Sequence, residues 1–436
     1  MDRAKIKKIL LLRPKCPSAD TAMPTGLMSV AAYLRRYGYR VELRDLAHQS
    51  ADFTDGLRSG EYGIVGISML SFYRRHPYRL IRDIKAIAPQ VKIVVGGIHG
   101  TSVPDLLVEY FPVDAVVMGE GEVSMKGLAD HWLLGEGRLE EIPGIYMKEH
   151  GAGPKQPLIE NLDTLPAIDF GDVDLDWYHS GMVRNRPHVV HNEVAFRDAR
   201  YANVSSSRGC MGKCAFCNAF IHWLGSVRYR GSDALFGEIE RLYRMGRNLL
   251  YFNDDAFGQD RQATLDLCQA IHYSGMKLAW FADARVDCFD EELLEWCAKA
   301  GCFCLSFGVE SGSQKILNRI GKGITVEQIR QTFGLAKKVG IHPYALLMIG
   351  NQGETDETIQ ETCDLMTEIR PDIWSALRAV LVFPGTRYEH VMAMKHGFDR
   401  RYWTTEQDGA PTFLDGFTER DLNKWNEKIR QLPRQW

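Results

Sequence analysis

The stretch SSRGCMGKCAFCNAF, residues 206–220, carries three cysteines at CxxxCxxC spacing, namely Cys210, Cys214 and Cys217. This spacing gathers three thiolates around one metal centre and supplies no fourth ligand nearby. A four-iron cluster held there would keep one iron open for binding. A structural zinc site is the alternative, but such sites normally close with four Cys or His ligands in two short pairs. No second pair follows at finger or ribbon spacing.

The sequence around the cysteines predicts that they lie in a glycine-rich loop after a short strand at 201–207, where α/β folds place their ligands. With Phe216 before the last cysteine, this arrangement resembles the radical S-adenosylmethionine (SAM) enzymes. The resemblance implies a partial (β/α)6, TIM-like barrel and a [4Fe-4S] cluster on Cys210, Cys214 and Cys217. It also implies that SAM binds the open iron and is cleaved reductively to a 5′-deoxyadenosyl radical.

Five further segments match this family in the order in which it has them, after a predicted amphipathic helix at 233–245. They are NLLYFNDDAF (248–257), LAWFADARVD (278–287), CLSFGVESGS (304–313), HPYALLMIGNQGET (342–355) and LVFPGTRY (381–388). The resemblance implies SAM contacts from Asp254, Asp255, Arg285, Glu310, Ser311, Gly350 and Gly353. Both glycines suit close approach of backbone to the adenine, because glycine adds no Cβ. In the last segment, Pro384, Gly385 and Thr386 resemble the PGT signature after the sixth strand.

Three of these positions also have a purely structural interpretation. Asp254 and Asp255 could cap the helix that follows their strand. Arg285 could be a surface ion-pair partner that contributes little. Glu310 ends an apolar run, where a carboxylate is costly unless it is paired.

The first 135 residues show a different organisation, in which short apolar strands alternate with helices. The predicted strands are KILLL, YRVELRDL, YGIVGIS, VKIVVGG and VDAVVMG, with helices at about 27–37 and 77–88. This rhythm predicts βαβ units, and hence a Rossmann-like, doubly wound parallel sheet that binds ligands at the carboxyl ends of its strands. The dinucleotide fingerprint GxGxxG does not follow the first strand.

Three motifs in this region resemble the cobalamin-binding domain that is fused to many radical SAM enzymes. They are PTGL at 24–27, GGIH at 96–99 and GEGE at 119–122. The DxHxxG motif that supplies a lower cobalt ligand in classical cobalamin proteins is missing, since His48 has the wrong spacing and no following glycine. The resemblance therefore implies cobalamin bound without histidine ligation, with contacts from Gly26, Ser68, Tyr73, Arg74, Gly96, Gly97, His99, Gly119, Glu120 and Gly121. His48 and His99 are equally well explained as satisfied loop histidines, and the domain can also persist without cobalamin.

These patterns divide the chain into four parts. We expect a cobalamin-binding-like domain at 1–135, a linker at 136–198 that packs across both domains, the barrel at 199–388 and a short helical tail at 389–436. Cys297, Cys302 and Cys304 could suggest a second cluster, but burial as small hydrophobes is the better account. Cys16 lies in the first loop, facing the presumed cobalamin site.

Composition is that of an ordinary globular protein, with 436 residues, 45% apolar and 25% charged. A formal net charge of −3 gives no general attraction to nucleic acid or to anionic membranes. No stretch reaches the ~20 apolar residues that a membrane helix needs. The first apolar run is too short for a signal-peptide core. We therefore expect a reducing cytoplasm as the compartment.

Three functions remain open at this point. The leading one is a cobalamin-dependent radical SAM methyltransferase that abstracts hydrogen from an unactivated carbon of a small molecule and delivers a methyl group from methylcobalamin. The second is a radical SAM cyclase, rearrangement or oxidation enzyme, resembling the anaerobic porphyrin-ring cyclases. The third is a non-catalytic iron–sulfur binding or sensor protein. An enzyme of either kind needs an electron donor such as flavodoxin or ferredoxin, and no catalytic acid or base is assigned.

A methylthiotransferase acting on transfer RNA is disfavoured. Such enzymes carry three cluster cysteines in the N-terminal domain and an RNA-binding barrel at the C-terminus, whereas only Cys16 precedes Cys210 here.

Overall fold

A computed structural model describes residues 6–16, 22–48 and 53–433, which form two compact units. The first unit comprises Met1–Tyr178 together with Gly397–Ala410. The second comprises His179–His396 and Pro411–Trp436. The chain thus leaves the first unit and returns to it once, shortly before its end.

The first unit is a sheet with helices between its strands. The strands are β1 (Lys8–Arg13), β2 (Val41–Asp45), β3 (Tyr62–Ser68), β4 (Lys92–Gly96), β5 (Ala115–Val117), β6 (Ile145–Met147) and β7 (Gly151–Ala152). The helices are α1 (Thr25–Arg36), α2 (Thr54–Arg58), α3 (Arg75–Ile87), α4 (Gly97–Ser102), α5 (Pro104–Tyr110) and α6 (Gly121–Ala129). The strand order is β2-β1-β3-β4-β5-β6-β7, with β1 to β5 parallel and the last two antiparallel.

The parallel part of this sheet is the predicted doubly wound fold. The four central residues of β1 are all buried, as expected for a strand covered on both faces. The order β2-β1-β3-β4-β5 reverses direction between β1 and β3, and such a switch point leaves a crevice at the carboxyl ends of the strands. The predicted helices at 27–37 and 77–88 correspond to α1 and α3 within two residues.

The second unit contains a parallel sheet with helices between its strands, and two short antiparallel pairs of strands. Its strands are β8 (Val190–His191), β9 (Val194–Ala195), β10 (Tyr201–Val204), β11 (Ser207–Arg208), β12 (Arg228–Tyr229), β13 (Leu249–Phe257), β14 (Ala279–Ala284), β15 (Cys302–Glu310), β16 (His342–Met348) and β17 (Ile373–Leu377). The antiparallel pairs are β8 with β9 and β11 with β12. Its helices are α7 (Gly181–Arg184), α8 (Ala219–His222), α9 (Ser232–Arg244), α10 (Arg261–Ser274), α11 (Glu291–Lys299), α12 (Gln314–Ile320), α13 (Val326–Lys338), α14 (Asp356–Ile369), α15 (Arg387–His396) and α16 (Glu419–Arg430).

Six of these strands form one parallel sheet in the order β10-β13-β14-β15-β16-β17. The strands follow one another in chain order with helices between them, which is the arrangement of the predicted partial (β/α)6 barrel. Every residue of the central strand β15 is buried. The carboxyl ends of all six strands therefore meet at one rim, where the cysteine loop after β10 also lies.

The predicted domain boundaries differ from this division. Residues 136–178 of the predicted linker lie in the first unit, where β6 and β7 extend the sheet, and residues 179–198 lie in the second. These two strands have only three and two residues, too few to show an alternating pattern. The predicted tail is also divided, since residues 397–410 belong to the first unit and α16 to the second.

Candidate functional site

The cysteine loop, residues 209–218, follows β11, which pairs antiparallel with β12. Cys210, Cys214 and Cys217 are all free and half-buried. The loop wraps closely around two of the thiols, because a Cβ on Gly212 would lie 3.3 Å from the Cys210 Sγ and 3.5 Å from the Cys214 Sγ. The backbone N–H groups of Gly212 and Ala219 donate to the sulfurs of Cys210 and Cys217 at 3.3 and 3.4 Å.

These thiols suit a soft metal centre that releases protons when it forms. Burial raises the pKa of the Cys217 thiol to about 11. Burial also raises the pKa of Cys214, and the nearby Lys322 and Arg285 oppose that rise. Three thiolates with backbone N–H donors are the donor set of a cysteine-ligated iron–sulfur cluster. In the described part of the chain, no three His, Cys, Asp or Glu side chains converge at the distances that would hold a single metal ion.

Asp254 on β13 fastens to the sheet the two serines that come shortly before the cysteine loop. Its carboxylate accepts hydrogen bonds from the backbone N–H and the hydroxyl of both Ser206 and Ser207, at 2.5 to 3.2 Å. Burial raises the pKa of this carboxyl to about 6, and the four hydrogen bonds oppose the rise. The helix-cap interpretation is wrong for Asp254, because β13 continues beyond it and Asp260 caps α10.

Asp255 and Gln259 complete the attachment of the loop. The Asp255 carboxylate accepts the N–H of Gly209 at 3.2 Å, directly before the first cysteine. Gln259 accepts the N–H of Met211 at 2.8 Å and donates to the carbonyl of Gly209 at 3.1 Å. Gln259 cannot be identified from the sequence alone, since a glutamine after a strand carries no motif signal by itself.

Arg285 and Glu310 both lie at strand ends and are both paired. Arg285 is buried and binds Asp287 through two N–H groups at 2.8 and 2.9 Å, so it is not a surface residue. Glu310, the last residue of β15, has φ +62° and accepts from the Lys322 ammonium at 2.7 Å. This ion pair offsets the free energy that is needed to bury the Glu310 carboxylate at the end of the strand. Lys322, which lies between two glycines after α12, belongs to none of the motifs that the sequence shows.

Ser311, Gly350 and Gly353 shape the neighbouring loops. The Ser311 hydroxyl is fully buried, lies 3.2 Å from the Thr362 hydroxyl on α14 and accepts the N–H of Ser313 at 3.1 Å. Gly350 and Gly353 have φ +92° and +79°, conformations that side chains strongly disfavour. The Glu354 carboxylate accepts the N–H of Gly350 at 2.6 Å and fixes this turn.

The predicted PGT segment meets the cysteine loop through the start of α15. The hydroxyl of Thr386 donates to the carbonyl of Phe383 at 2.6 Å, and the N–H of Gly385 donates to Glu389 at 2.7 Å. The N–H of Tyr388 then donates to the carbonyl of Ala215 at 3.3 Å, between the second and third cysteines. Pro384, Gly385 and Thr386 therefore shape a turn that supports the cysteine loop.

In the first unit, a cavity of about 190 Å³ opens at the switch point between β1 and β3. Three of the predicted cobalamin contacts line it together: Gly26 from the start of α1, Ser68 from the end of β3, and Tyr73. Cys16 after β1 lines the same cavity, as the sequence predicted for the first loop. The crevice and its lining thus lie where a doubly wound sheet binds ligands.

Arg74 and His99, by contrast, are fully buried in hydrogen-bond networks. Arg74 donates to the carbonyl of Gly409 at 2.6 Å and to the hydroxyl of Thr405 at 3.2 Å. The two ring nitrogens of His99 lie 2.7 Å from the Tyr78 hydroxyl and 3.0 Å from the Ser71 hydroxyl. His99 is therefore a satisfied core histidine. His48 pairs with Asp174 at 3.1 Å.

The remaining motif residues of the first unit act through the backbone and through packing. Gly96 is extended, whereas Gly97 has φ +82°, and a Cβ there would lie 2.9 Å from the carbonyl of Met69. Gly119 has φ +74° and donates its N–H to Thr101 at 2.9 Å. A Cβ on Gly121 would lie 2.9 Å from Val30. The buried Glu120 accepts the N–H of Ile159 at 2.8 Å.

The expected burial of the other cysteines is confirmed. Cys297, Cys302 and Cys304 have no exposed surface, and the Cys297 sulfur lies 3.8 Å from that of Cys268. Burial raises the pKa of each of these three thiols. They therefore remain neutral and pack as small hydrophobes.

Comparison with known proteins gives matches over both units. Residues 18–129 match the B12 binding domain, and residues 204–366 match the radical SAM superfamily. An uncharacterized methyltransferase of Pyrococcus horikoshii is 31% identical over 405 residues, which cover 89% of this chain and 84% of that protein. The anaerobic magnesium-protoporphyrin IX monomethyl ester cyclase of Rubrivivax gelatinosus is 27% identical over 84% of this chain and 66% of its own length.

One solved structure shows the same fold. It is the radical SAM methyltransferase TsrM from Kitasatospora setae with cobalamin and a [4Fe-4S] cluster bound. The TM-score is 0.71 at 22% identity, covering 89% of this chain and 76% of that one. Among the residues that the structure of this chain describes, no helix is both long and apolar enough to cross a membrane.

Proposed function

We propose the reaction of this chain on the basis of its family. The chain belongs to the radical SAM superfamily, in the branch that carries a B12-binding domain. The protein is an enzyme that methylates an unactivated carbon of a small-molecule substrate. When bound, the cluster supplies the electron that cleaves SAM to a 5′-deoxyadenosyl radical, and cobalamin carries the methyl group. The protein positions these groups and excludes water from them.

The observation that carries this proposal is the built cysteine loop. Three thiols lie in one loop, and Asp254 fastens the two serines just before that loop to the sheet through four hydrogen bonds. Arg285 and Lys322 oppose the protonation of the Cys214 thiol. We assign Cys210, Cys214 and Cys217 to the cluster, since a loop fixed in this way holds its ligands in place before the metal arrives.

For SAM we assign Asp255, Arg285, Glu310, Ser311, Gly350 and Gly353, all at the carboxyl ends of strands or just beyond them. This rim is where barrels of parallel strands bind their ligands. Arg285 supplies a positive charge near the carboxylate of SAM, and Glu310 supplies a negative charge near its amino group. Each of these side chains is itself paired, Arg285 with Asp287 and Glu310 with Lys322. Asp254 acts indirectly, by fixing the segment that leads into the cysteine loop.

For cobalamin we assign Gly26, Ser68 and Tyr73, which line the cavity, and the turn glycines Gly96, Gly97, Gly119 and Gly121. Glycine at 97 and 121 lets these turns pack closely against Met69 and Val30, and the turns lie at the carboxyl ends of β4 and β5, where a doubly wound sheet binds its ligand. Arg74, His99 and Glu120 support the site by holding its loops, because hydrogen bonds within the first unit occupy their side chains.

We also propose a cytoplasmic enzyme with an external electron donor, such as flavodoxin or ferredoxin. The reduction needs a low-potential source, and cytosolic thiols stay reduced.

A second activity, oxidative cyclisation without methyl transfer, is favoured by the likeness to the Rubrivivax gelatinosus cyclase. The two activities differ in their products from SAM. Methyl transfer yields S-adenosylhomocysteine together with deoxyadenosine, whereas cyclisation yields deoxyadenosine without S-adenosylhomocysteine.

The test compares wild type with Cys214→Ala, both expressed with cobalamin supplied and purified without oxygen. We expect cobalamin in both proteins, whereas the iron–sulfur absorbance is lost from the variant only. Cys363→Ala is the matched control, because Cys363 is buried on α14, outside the cysteine loop. A wild-type protein that binds a cluster but no cobalamin would exclude methyl transfer from cobalamin.

A further inference from the structure

The segment between α12 and α13 is docked on the cysteine loop. The N–H of Ala215 donates to the carbonyl of Ile320 at 2.8 Å. Gly321 has φ +68°, and a Cβ there would lie 3.1 Å from the carbonyl of Lys213. These contacts lie on both sides of Cys214 in the chain, so Lys322 is held beside the second cysteine.

The ammonium group of Lys322 is buried in a space that the fold leaves for it. Only 8% of its side chain is exposed, and its Nζ lies 2.7 Å from the Glu310 Oε1. A Cβ on Gly308 would lie 2.4 Å from that Nζ and 2.6 Å from that oxygen, so glycine at this position makes room for the pair. Glu310 reaches Lys322 from a left-handed backbone conformation, which is strained for a residue with a side chain and persists only where the surroundings impose it.

The buried pair places its charges next to the cysteine loop. Lys322 directly follows Gly321, which packs against the carbonyl of Lys213, the residue before Cys214. A second cation, Arg285, also lies there, since its Nη1 is 3.1 Å from the Cβ position of Gly212, but it is bound twice to Asp287. Lys322 and Glu310 are therefore two buried, opposite charges beside the second cysteine.

We propose that Lys322 is a positioning residue that sets the reduction potential of the cluster bound at Cys214, with Glu310 as the counter-charge that limits its effect. The inference rests on the proposed function, because it needs the cluster. Reduction adds one negative charge to the cluster, and a buried ammonium group stabilises that charge more than water-screened cations do. Lys322 raises the potential, and Glu310 lowers it.

The test is a potentiometric titration of the reconstituted cluster, followed by electron paramagnetic resonance, without SAM. Compared with wild type, we expect Lys322→Met to shift the midpoint to lower potential and Glu310→Gln to shift it to higher potential. Lys322→Arg, which keeps the positive charge, should remain near wild type. A purely structural role cannot produce shifts of opposite sign in proteins with equal iron content.

Removing one member of a buried pair can also unfold the protein. The double variant Glu310→Gln/Lys322→Met removes both charges, and we expect its midpoint between those of the single variants. Equal midpoints in all proteins that hold a full cluster would overturn this inference alone, and the proposed function would stand. A wild-type protein that holds no [4Fe-4S] cluster would overturn both.

Discussion

His99 shows how the surroundings of a single side chain decide its role. Tyr78 donates its hydroxyl hydrogen to the carbonyl of Trp403 at 2.5 Å, so the Nε2 of His99 donates to Tyr78 and its Nδ1 accepts from Ser71. Complete burial lowers the pKa of this imidazole to about 3, with a further contribution from Arg74. The imidazole of His99 is therefore neutral in the folded first unit.

A neutral buried histidine makes the first unit sensitive to acid. The pKa of His99 in the folded protein lies below its unfolded value of about 6.5. The stability that the neutral imidazole contributes is therefore present above that value and is lost as the pH falls. Between pH 7 and pH 5 we expect the free energy of unfolding to fall by about 2 kcal/mol from this residue. Urea unfolding at the two pH values, followed by tryptophan fluorescence, measures the change.

His99→Gln should show a smaller difference between the two pH values than wild type. His48→Gln, which replaces a partly exposed histidine, should behave like wild type. An equal pH dependence for His99→Gln and wild type would show that His99 titrates normally in the fold.

At this scale the sequence identifies the right segments but not always the residues that each side chain contacts. The GGxH motif identified His99, yet its contacts come from Ser71, Tyr78 and the distant Trp403. Asp254 likewise follows from the strand pattern, whereas its bonds to Ser206 and Ser207 depend on the register between β10 and β13. Motif spacing does not encode that register.

At the scale of elements, the cysteine loop depends on a single glycine at its start. Gly209 has φ +107°, and a Cβ there would lie 2.0 Å from the carbonyl of Ser226, just before β12. Since the obstacle is backbone, it cannot move aside without separating β11 from β12. The loop therefore tolerates only glycine at this position.

We expect Gly209→Ala to lose most of its cluster and to be destabilised by about 2 kcal/mol or more. Iron and sulfide analysis after anaerobic reconstitution measures the loss. Gly237→Ala is the control, because Gly237 lies within α9 with open space around its Cα, and alanine there should be neutral or stabilising by up to about 1 kcal/mol. Full iron content in Gly209→Ala would contradict this account of the loop.

The elements that the sequence predicted well are long and strongly patterned. The strands β13 and β15 have nine residues each; β13 begins with a run of four apolar residues, and β15 is apolar over most of its length. The helix at 232–244 was predicted within one residue, because its apolar face has a regular spacing. The short β6 and β7 were missed, since their pairing depends on the edge of a sheet that is already formed.

At the scale of the whole molecule, the first unit is completed by residues from the far end of the chain. Trp403 has no exposed surface and belongs to the hydrophobic core formed by β3, α3, β4 and α5. The guanidinium of Arg74 lies 5.1 Å from its ring centre. No periodicity could reveal this contact, because it joins segments more than 300 residues apart.

We expect Trp403→Ala to destabilise the first unit by about 3–5 kcal/mol, the usual effect of removing a large buried aromatic ring. Chemical unfolding followed by circular dichroism measures the loss. Tyr273→Ala, at a position 75% exposed in the second unit, should change the free energy of unfolding by less than about 0.5 kcal/mol. A loss below about 1 kcal/mol for Trp403→Ala would mean that the first unit is complete without the returning segment.

The return of residues 397–410 also fixes an order of events during synthesis. A ribosome delivers the first 178 residues early but must then translate the whole of 179–396 before the indole of Trp403 emerges. At about 5–20 residues per second, this delay lasts on the order of tens of seconds. For that time the core of the first unit lacks the indole of Trp403. The first unit therefore reaches its final packing only after residues 179–396 of the second unit have been synthesised.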